Sequence, residues 1–117
     1  MVENPVDARL RRQLEELAAS MCKALNDPKR LSLLYALRDG PLTVSELSEL
    51  LESPQSNTSQ HLAILRDRGL VIAVRQGNSV HYSLRYPKVL QAVDLLREVM
   101  SAETERQQEL HALAPSA

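Results

Sequence analysis

The chain contains no Trp and no Phe, and only three Tyr among its 117 residues. Modules that read unpaired RNA bases stack them on aromatic rings, so an RNA-binding reading lacks its platform. The single cysteine, Cys22, excludes an intrachain disulfide and any paired-cysteine metal motif. The longest apolar runs, Leu33–Leu37 and Leu70–Val74, are far too short to span a membrane. The opening "MVENPVDARLRR" carries no apolar segment of a secretory signal. A cytoplasmic protein with no membrane partner is therefore expected. There is no nucleophile–base set, no pair of catalytic carboxylates in a cleft context and no phosphate loop. An enzyme is the weakest reading, and no cofactor is expected.

What is present is an ordinary globular composition, 44% hydrophobic and 25% charged, in a length that suits one domain over residues 1–117. A net charge of −1 hides an uneven distribution. Residues 1–53 carry seven Lys/Arg against nine Asp/Glu, and residues 87–117 carry three against five. Between them, residues 54–86 carry Arg66, Arg68, Arg75 and Arg85 against Asp67 alone. That basic block is where a phosphate backbone would be met.

Periodicity divides the chain into helices and one pair of strands. Leu10, Leu14, Leu17, Met21 and Leu25 form one apolar stripe at steps of three and four. Asp27 and Pro28 suit the N-cap and first position of a second helix, whose buried face is Leu31, Leu34, Tyr35 and Leu37, and Gly40–Pro41 stops it. "TVSE", Thr43 to Glu46, reads as a capping box opening a short helix with Val44, Leu47, Leu50 and Leu51 inside. Ser53–Pro54 repeats the cap-plus-proline start; the helix it opens spans about 54–68, with Leu62 and Leu65 as anchors and Gly69 as its stop. The period then changes to two. "LVIAVR" and "VHYSL" flank "QGNS" and read as a hairpin over about 70–85 with a Gly-Asn turn. From Pro87 to about residue 110 the helical period returns, and a frayed tail is expected from Ala112.

The stretch "SPQSNTSQHLAILRDRGLV" is lopsided: hydroxyls and amides at its first turns, leucines at its last. A solvated helix would carry charges there, and a core helix leucines. Short helices followed by a hairpin are the order of a winged helix-turn-helix, in which the second helix of the turn offers its first turns to the major groove. Small polar side chains can then donate and accept at base edges. The candidates are Gln55, Ser56, Asn57, Ser59 and Gln60, with Asn57 equally suited to local capping. Thr58 faces the core. His61 reads as a packed or phosphate-bonded histidine before a metal ligand, and Arg66 and Arg68 as backbone contacts or plain surface charge. Arg75, Gln76 and Asn78 stand at the wing tip, for the minor groove or phosphate.

"KALNDPKRLSLLYAL", "SPQSNTSQHLAILRDRGLV" and "RQGNSVHYSL" together resemble the ArsR-type winged-helix repressors, over roughly residues 15–100. The resemblance implies a mainly α fold with a small β-hairpin, and a homodimer formed by the first and last helices. It further implies double-stranded operator DNA, an imperfect inverted repeat, as partner, and repression relieved by an effector. Both terminal helices carry apolar faces, so the dimer stripe is expected at Leu10, Leu14 and Leu17 with Val89, Val93, Leu96 and Met100.

The family is known for metal sensing, and here the chain departs from it. Soft-metal sensors carry a Cys-x-Cys pair on the helix before the turn, where this chain has Ser45, Leu47 and Ser48. Zinc and cobalt sensors use ligands on the last helix, which fall here on Tyr86, Lys88, Val99 and Ala102. No metal is expected. Cys22 reads first as a buried structural cysteine, with a thiol or metal sensor across the dimer as the alternative. His111 in its acidic surroundings and the pair Asp94 and Glu98 read as solvated surface. The competing function is a winged-helix protein-interaction module without DNA binding; the basic block and the small polar recognition turn speak against it, since an interaction surface would expose aromatic or aliphatic anchors.

Overall fold

The computed structural model describes residues 3–113. Contacts divide the chain into two compact units, Met1–Tyr86 and Pro87–Ala117. In the first, α1 (Ala8–Leu17) is capped by Asp7, whose carboxylate accepts from the Leu10 amide at 2.8 Å. The expected continuous stripe is interrupted: one π turn, Ala18–Cys22, separates α1 from the short α2 (Lys23–Leu25). None of the α1 residues is buried; Leu14 and Leu17 are 47% and 46% exposed. Cys22 is exposed, which corrects its reading as a buried structural cysteine: the π turn sets it on the solvent side of the protomer.

Asp27 and Pro28 open α3 (Pro28–Ala36) as expected, Asp27 accepting from the amides of Lys29 and Arg30. Leu33, Leu34 and the C-cap residue Leu37 are fully buried, whereas Leu31 and Tyr35 are only half-buried. A two-residue strand, β1 (Leu42–Thr43), leads into α4 (Val44–Leu51), and the Thr43–Glu46 capping box is fully formed. Only Leu47 of the expected apolar set is fully buried there; Leu50 is 62% exposed.

The turn between α4 and α5 (Gln55–Asp67) passes through Glu52 in the left-handed region, φ 50°. Pro54, not Ser53, stands at the cap of α5, and no side chain caps it. At the other end Gly69, φ 77°, donates to Arg66 O and Leu70 to Leu65 O, the two crossed bonds of a Schellman motif. Thr58, Leu62 and Leu65 are spaced four and three apart and form the buried face of α5.

The hairpin is β2 (Val71–Gln76) and β3 (Ser79–Leu84), with Gly77 at φ 62° in its turn. No positive φ occurs at Asn78, so the turn has the type II′ pattern, glycine first. The sheet has three strands and not two. β1 adds to β3 in the order β1-β3-β2, all antiparallel, pairing Leu42 with Tyr82 and Thr43 with His81. Ala24, Leu33, Leu34, Leu37, Leu47, Leu62, Leu65, Leu70 and Val71 form the core of this unit, each at most 2% exposed.

The second unit is one helix, α6 (Lys88–Leu113), which continues past the expected end near 110; the tail from 114 lies outside the described residues. Leu90 and Val93 are buried, while Leu95, Leu96, Val99 and Met100 are between 61% and 66% exposed. Among the described residues, no helix is long and apolar enough to cross a membrane.

Candidate nucleic-acid interface

The buried face of α5 fixes what its opposite face presents. With Thr58, Leu62 and Leu65 turned inward, Gln55, Ser56, Ser59 and Gln60 are all exposed on the leading turns. Their side chains are short, uncharged and able both to donate and to accept, which is what base edges in a major groove require. Gln55 donates from Nε2 to Ser45 Oγ at 2.9 Å, so the start of α5 is steadied by the first turn of α4.

Asn57 is already engaged. Its Oδ1 accepts from Lys29 Nζ at 3.0 Å and from Ser53 Oγ at 3.1 Å, and Lys29 Nζ also reaches Ser53 Oγ at 3.2 Å. This is the local role that the residue type allowed from the outset. It brings in Lys29, which the sequence reading did not single out, and Ser53, which was expected only as a helix cap. A signal existed: Lys29 and Arg30 follow Pro28, two cations in the first turn of α3, where the helix dipole disfavours positive charge.

His61 is half-buried and its Nδ1 lies 3.2 Å from Arg30 Nη1. Arginine can only donate, so the contact is a hydrogen bond when Nδ1 carries no proton. Arg30 itself, with a side chain 13% exposed, donates through Nε to Ala24 O at 2.6 Å and through Nη2 to Lys23 O at 3.3 Å. Asp27 Oδ2 stands 4.0 Å away. Burial works to raise the Asp27 carboxyl, but the amides of Arg30 and Lys29, with the charges of His61 and Arg30, outweigh it and hold it below the usual carboxylate range.

Arg66 is exposed at the trailing end of α5, while Arg68 Nη1 reaches back to Ala19 O in the π turn at 3.5 Å. On the wing, Arg75, Gln76 and Asn78 are all exposed. Arg75 pairs with Val80 and Gln76 with Ser79, so strand alternation sets Arg75 and Gln76 on opposite faces of the ribbon. Cys22 has no neighbouring donor set: among the described residues, no group of three or more His, Cys, Asp or Glu is arranged to hold a metal.

Three short helices, a two-helix turn with polar leading residues and a β-ribbon after it define a winged helix-turn-helix protein. The homodimeric winged helix-turn-helix DNA-binding domain of a Mycobacterium bovis regulator superposes with a TM-score of 0.69 at 26% identity, over 86% of this chain and 91% of that one. The description "Bacterial regulatory protein, arsR family" matches residues 27–73. Over 91 residues the chain is 42% identical to the HTH-type transcriptional regulator NmtR of Mycobacterium tuberculosis, covering 78% of this chain and 76% of that protein. It is 31% identical over 106 residues to the biofilm growth-associated repressor of Xylella fastidiosa, covering 88% and 93%. The chain belongs to the arsR family of bacterial regulatory proteins.

Proposed function

We propose that this DNA-binding transcriptional regulator is a cytoplasmic, dimeric repressor that reads an inverted-repeat operator with α5 and is released by an effector. The whole chain acts as one DNA-binding domain, with α5 as recognition helix, β2–β3 as wing and α6 as dimerisation helix. The observation that carries the reading is the exposed row Gln55, Ser56, Ser59 and Gln60 on a helix whose other face is locked into the core. Arg66, Arg75 and Lys29 supply sequence-independent contacts to phosphate. Gln76 and Asn78 add wing contacts, and His61 and Asn57 steady the helix.

Self-association through α1 and α6 is supported by Leu14, Leu17, Leu96 and Met100, all large apolar side chains left exposed in the protomer. Leu10 and Val89 are half-buried. Val93 is nearly buried already, and Leu95 and Val99 extend the exposed face instead. The relative from Mycobacterium bovis is a homodimer, which favours the same arrangement here.

The test is footprinting on the DNA upstream of its own gene, followed by affinity measurements on single-position variants of the protected site. Gln55→Ala and Ser59→Ala should each relax preference at a particular base position, by about 1–3 kcal/mol. Lys29→Ala, Arg66→Ala or Arg75→Ala should weaken all sequences alike and lower the salt slope by roughly one. Unchanged base preference in both α5 variants would remove α5 as the reading helix, and a reporter switched on by the protein would replace repression with activation.

A further inference from the structure

Arg30 joins three segments, one of them the reading helix. Its guanidinium takes the carbonyls of Lys23 and Ala24 in α2, lies against the Asp27 cap of α3, and donates to His61 in the middle of α5. With 13% of the side chain exposed, this contact is largely shielded from water, so it is stronger than a surface hydrogen bond. His61 sits on the turn that follows Asn57 and precedes Leu65, between the polar leading end of α5 and its anchored trailing end.

We propose that the Arg30–His61 contact is a positioning lock for the recognition helix that holds only while His61 is neutral, making operator binding sensitive to acid. The inference rests on α5 being the DNA-reading helix. Its logic is donor and acceptor counting. Arg30 has no acceptor, so a protonated Nδ1 faces a donor and a second positive charge at 3.2 Å. The charged groups around His61 are Arg30 and the Asp27 carboxylate. Asp27 holds the amides of Lys29 and Arg30 through Oδ1 alone, at 2.8 and 3.2 Å, so its Oδ2 is open to the new N–H, but an imidazole that turns to it leaves Arg30. Either outcome breaks the Arg30–His61 contact that ties α2 and α3 to α5. Base readout tolerates displacements of only about half an ångström, so a loosened joint lowers affinity without unfolding the chain.

The experiment measures operator affinity of the full chain by fluorescence anisotropy, from about pH 8 to 5.5 at constant salt, with circular dichroism to follow the fold. Wild-type affinity should fall roughly tenfold to hundredfold across that range, the size of a lost charge-assisted hydrogen bond. His61→Asn, whose Oδ1 accepts without titrating, should keep near-wild-type affinity at the alkaline end and show a flat profile. His61→Leu and Arg30→Met should bind weakly at both ends while remaining folded. Gln55→Ala should relax base preference but keep the wild-type pH profile, which separates this lock from the reading of α5 itself. A wild-type affinity that holds or rises on acidification overturns the proposal, as does an acid loss that persists in His61→Asn. A His61→Leu variant that binds like wild type at alkaline pH does so as well.

Discussion

The two helices of the turn begin in opposite ways. At α4 the Thr43 hydroxyl accepts from the Glu46 amide at 3.2 Å, and Glu46 Oε1 accepts from the Thr43 amide at 3.0 Å. The start of that helix is satisfied from within. At α5 the cap is Pro54, no side chain answers the first amides, and the polar residues of the first turns face outward. A free helix start leaves donors and a positive dipole end toward whatever approaches. The contrast separates scaffold from reader: α4 is closed on itself, and α5 is closed only along its core face.

If that division holds, damage to the core face of α5 should cost the most stability. Leu62 is fully buried, and Leu62→Ala should destabilise the chain by about 2–5 kcal/mol in urea unfolding, with operator binding lost alongside. A variant that loses less than about 1 kcal/mol would show that the helix is not anchored there.

The cap of α4 comes next. Thr43→Ala should cost about 0.5–2 kcal/mol while leaving base preference intact, since it touches scaffold and not reader. The box should also respond to acid. The Thr43 amide, then its hydroxyl, and the charge of His81 hold the Glu46 carboxyl below its ordinary range against a small opposing effect of burial. A depressed carboxylate contributes stability that is present above its unfolded value and lost as pH falls through the folded one. Urea midpoints of wild type and Glu46→Gln should therefore differ near neutrality and converge on acidification. A gap that stays constant to about pH 3 would mean the carboxylate is not what the box uses.

Much of this scaffold was legible in the sequence, for reasons particular to its residues. Asp27–Pro28, Thr43–Glu46 and Gly69 are local signals, and each acts within four residues of itself, so a linear reading reaches them. The exposed row of α5 followed from the positions of Leu62 and Leu65. What the linear reading missed depends on distant partners. Lys29 lies 28 residues from Asn57 and Arg30 lies 31 from His61; two cations in the first turn of α3 are a local oddity, but nothing local names their partners. The third strand was hidden for a similar reason: Leu42–Thr43 is too short to show alternation and exists as a strand only because β3 is beside it. Leu50 and Cys22 were expected inside on residue type alone, which burial does not obey one residue at a time.

Thr58 tests the core face from the other direction. It is 2% exposed and its hydroxyl has no protein partner. A buried hydroxyl left unpaired costs free energy that an isosteric methyl does not, so Thr58→Val should stabilise the chain by about 1 kcal/mol. Base preference should not change, because residue 58 faces away from the reading row. A lower urea midpoint for Thr58→Val would mean that the hydroxyl is satisfied in solution.

The smallest effect belongs to the turn that joins the two helices. Among the described residues, Glu52 is the one non-glycine residue with positive φ, at 50°. In that conformation it closes α4: its own amide donates to Glu49 O at 3.2 Å and the Ser53 amide to Ser48 O at 3.0 Å. A side chain with a Cβ pays steric strain in this region, on the order of 1 kcal/mol, and a carboxylate at a helix C-terminus also opposes the dipole. Glycine removes both but loses more chain entropy on folding, about 0.5–1 kcal/mol. The net expectation is a gain of a few tenths to about 1 kcal/mol for Glu52→Gly. Glu52→Gln isolates the charge and should recover only the dipole part, while Glu52→Asn, which tolerates the left-handed region, should fall between them. The comparison is made on urea midpoints at low and high salt, because only the charge part is screened. If Glu52→Gly is less stable than Glu52→Gln at both salt concentrations, the turn is not strained at residue 52, and the crossed hydrogen bonds hold glutamate there without cost.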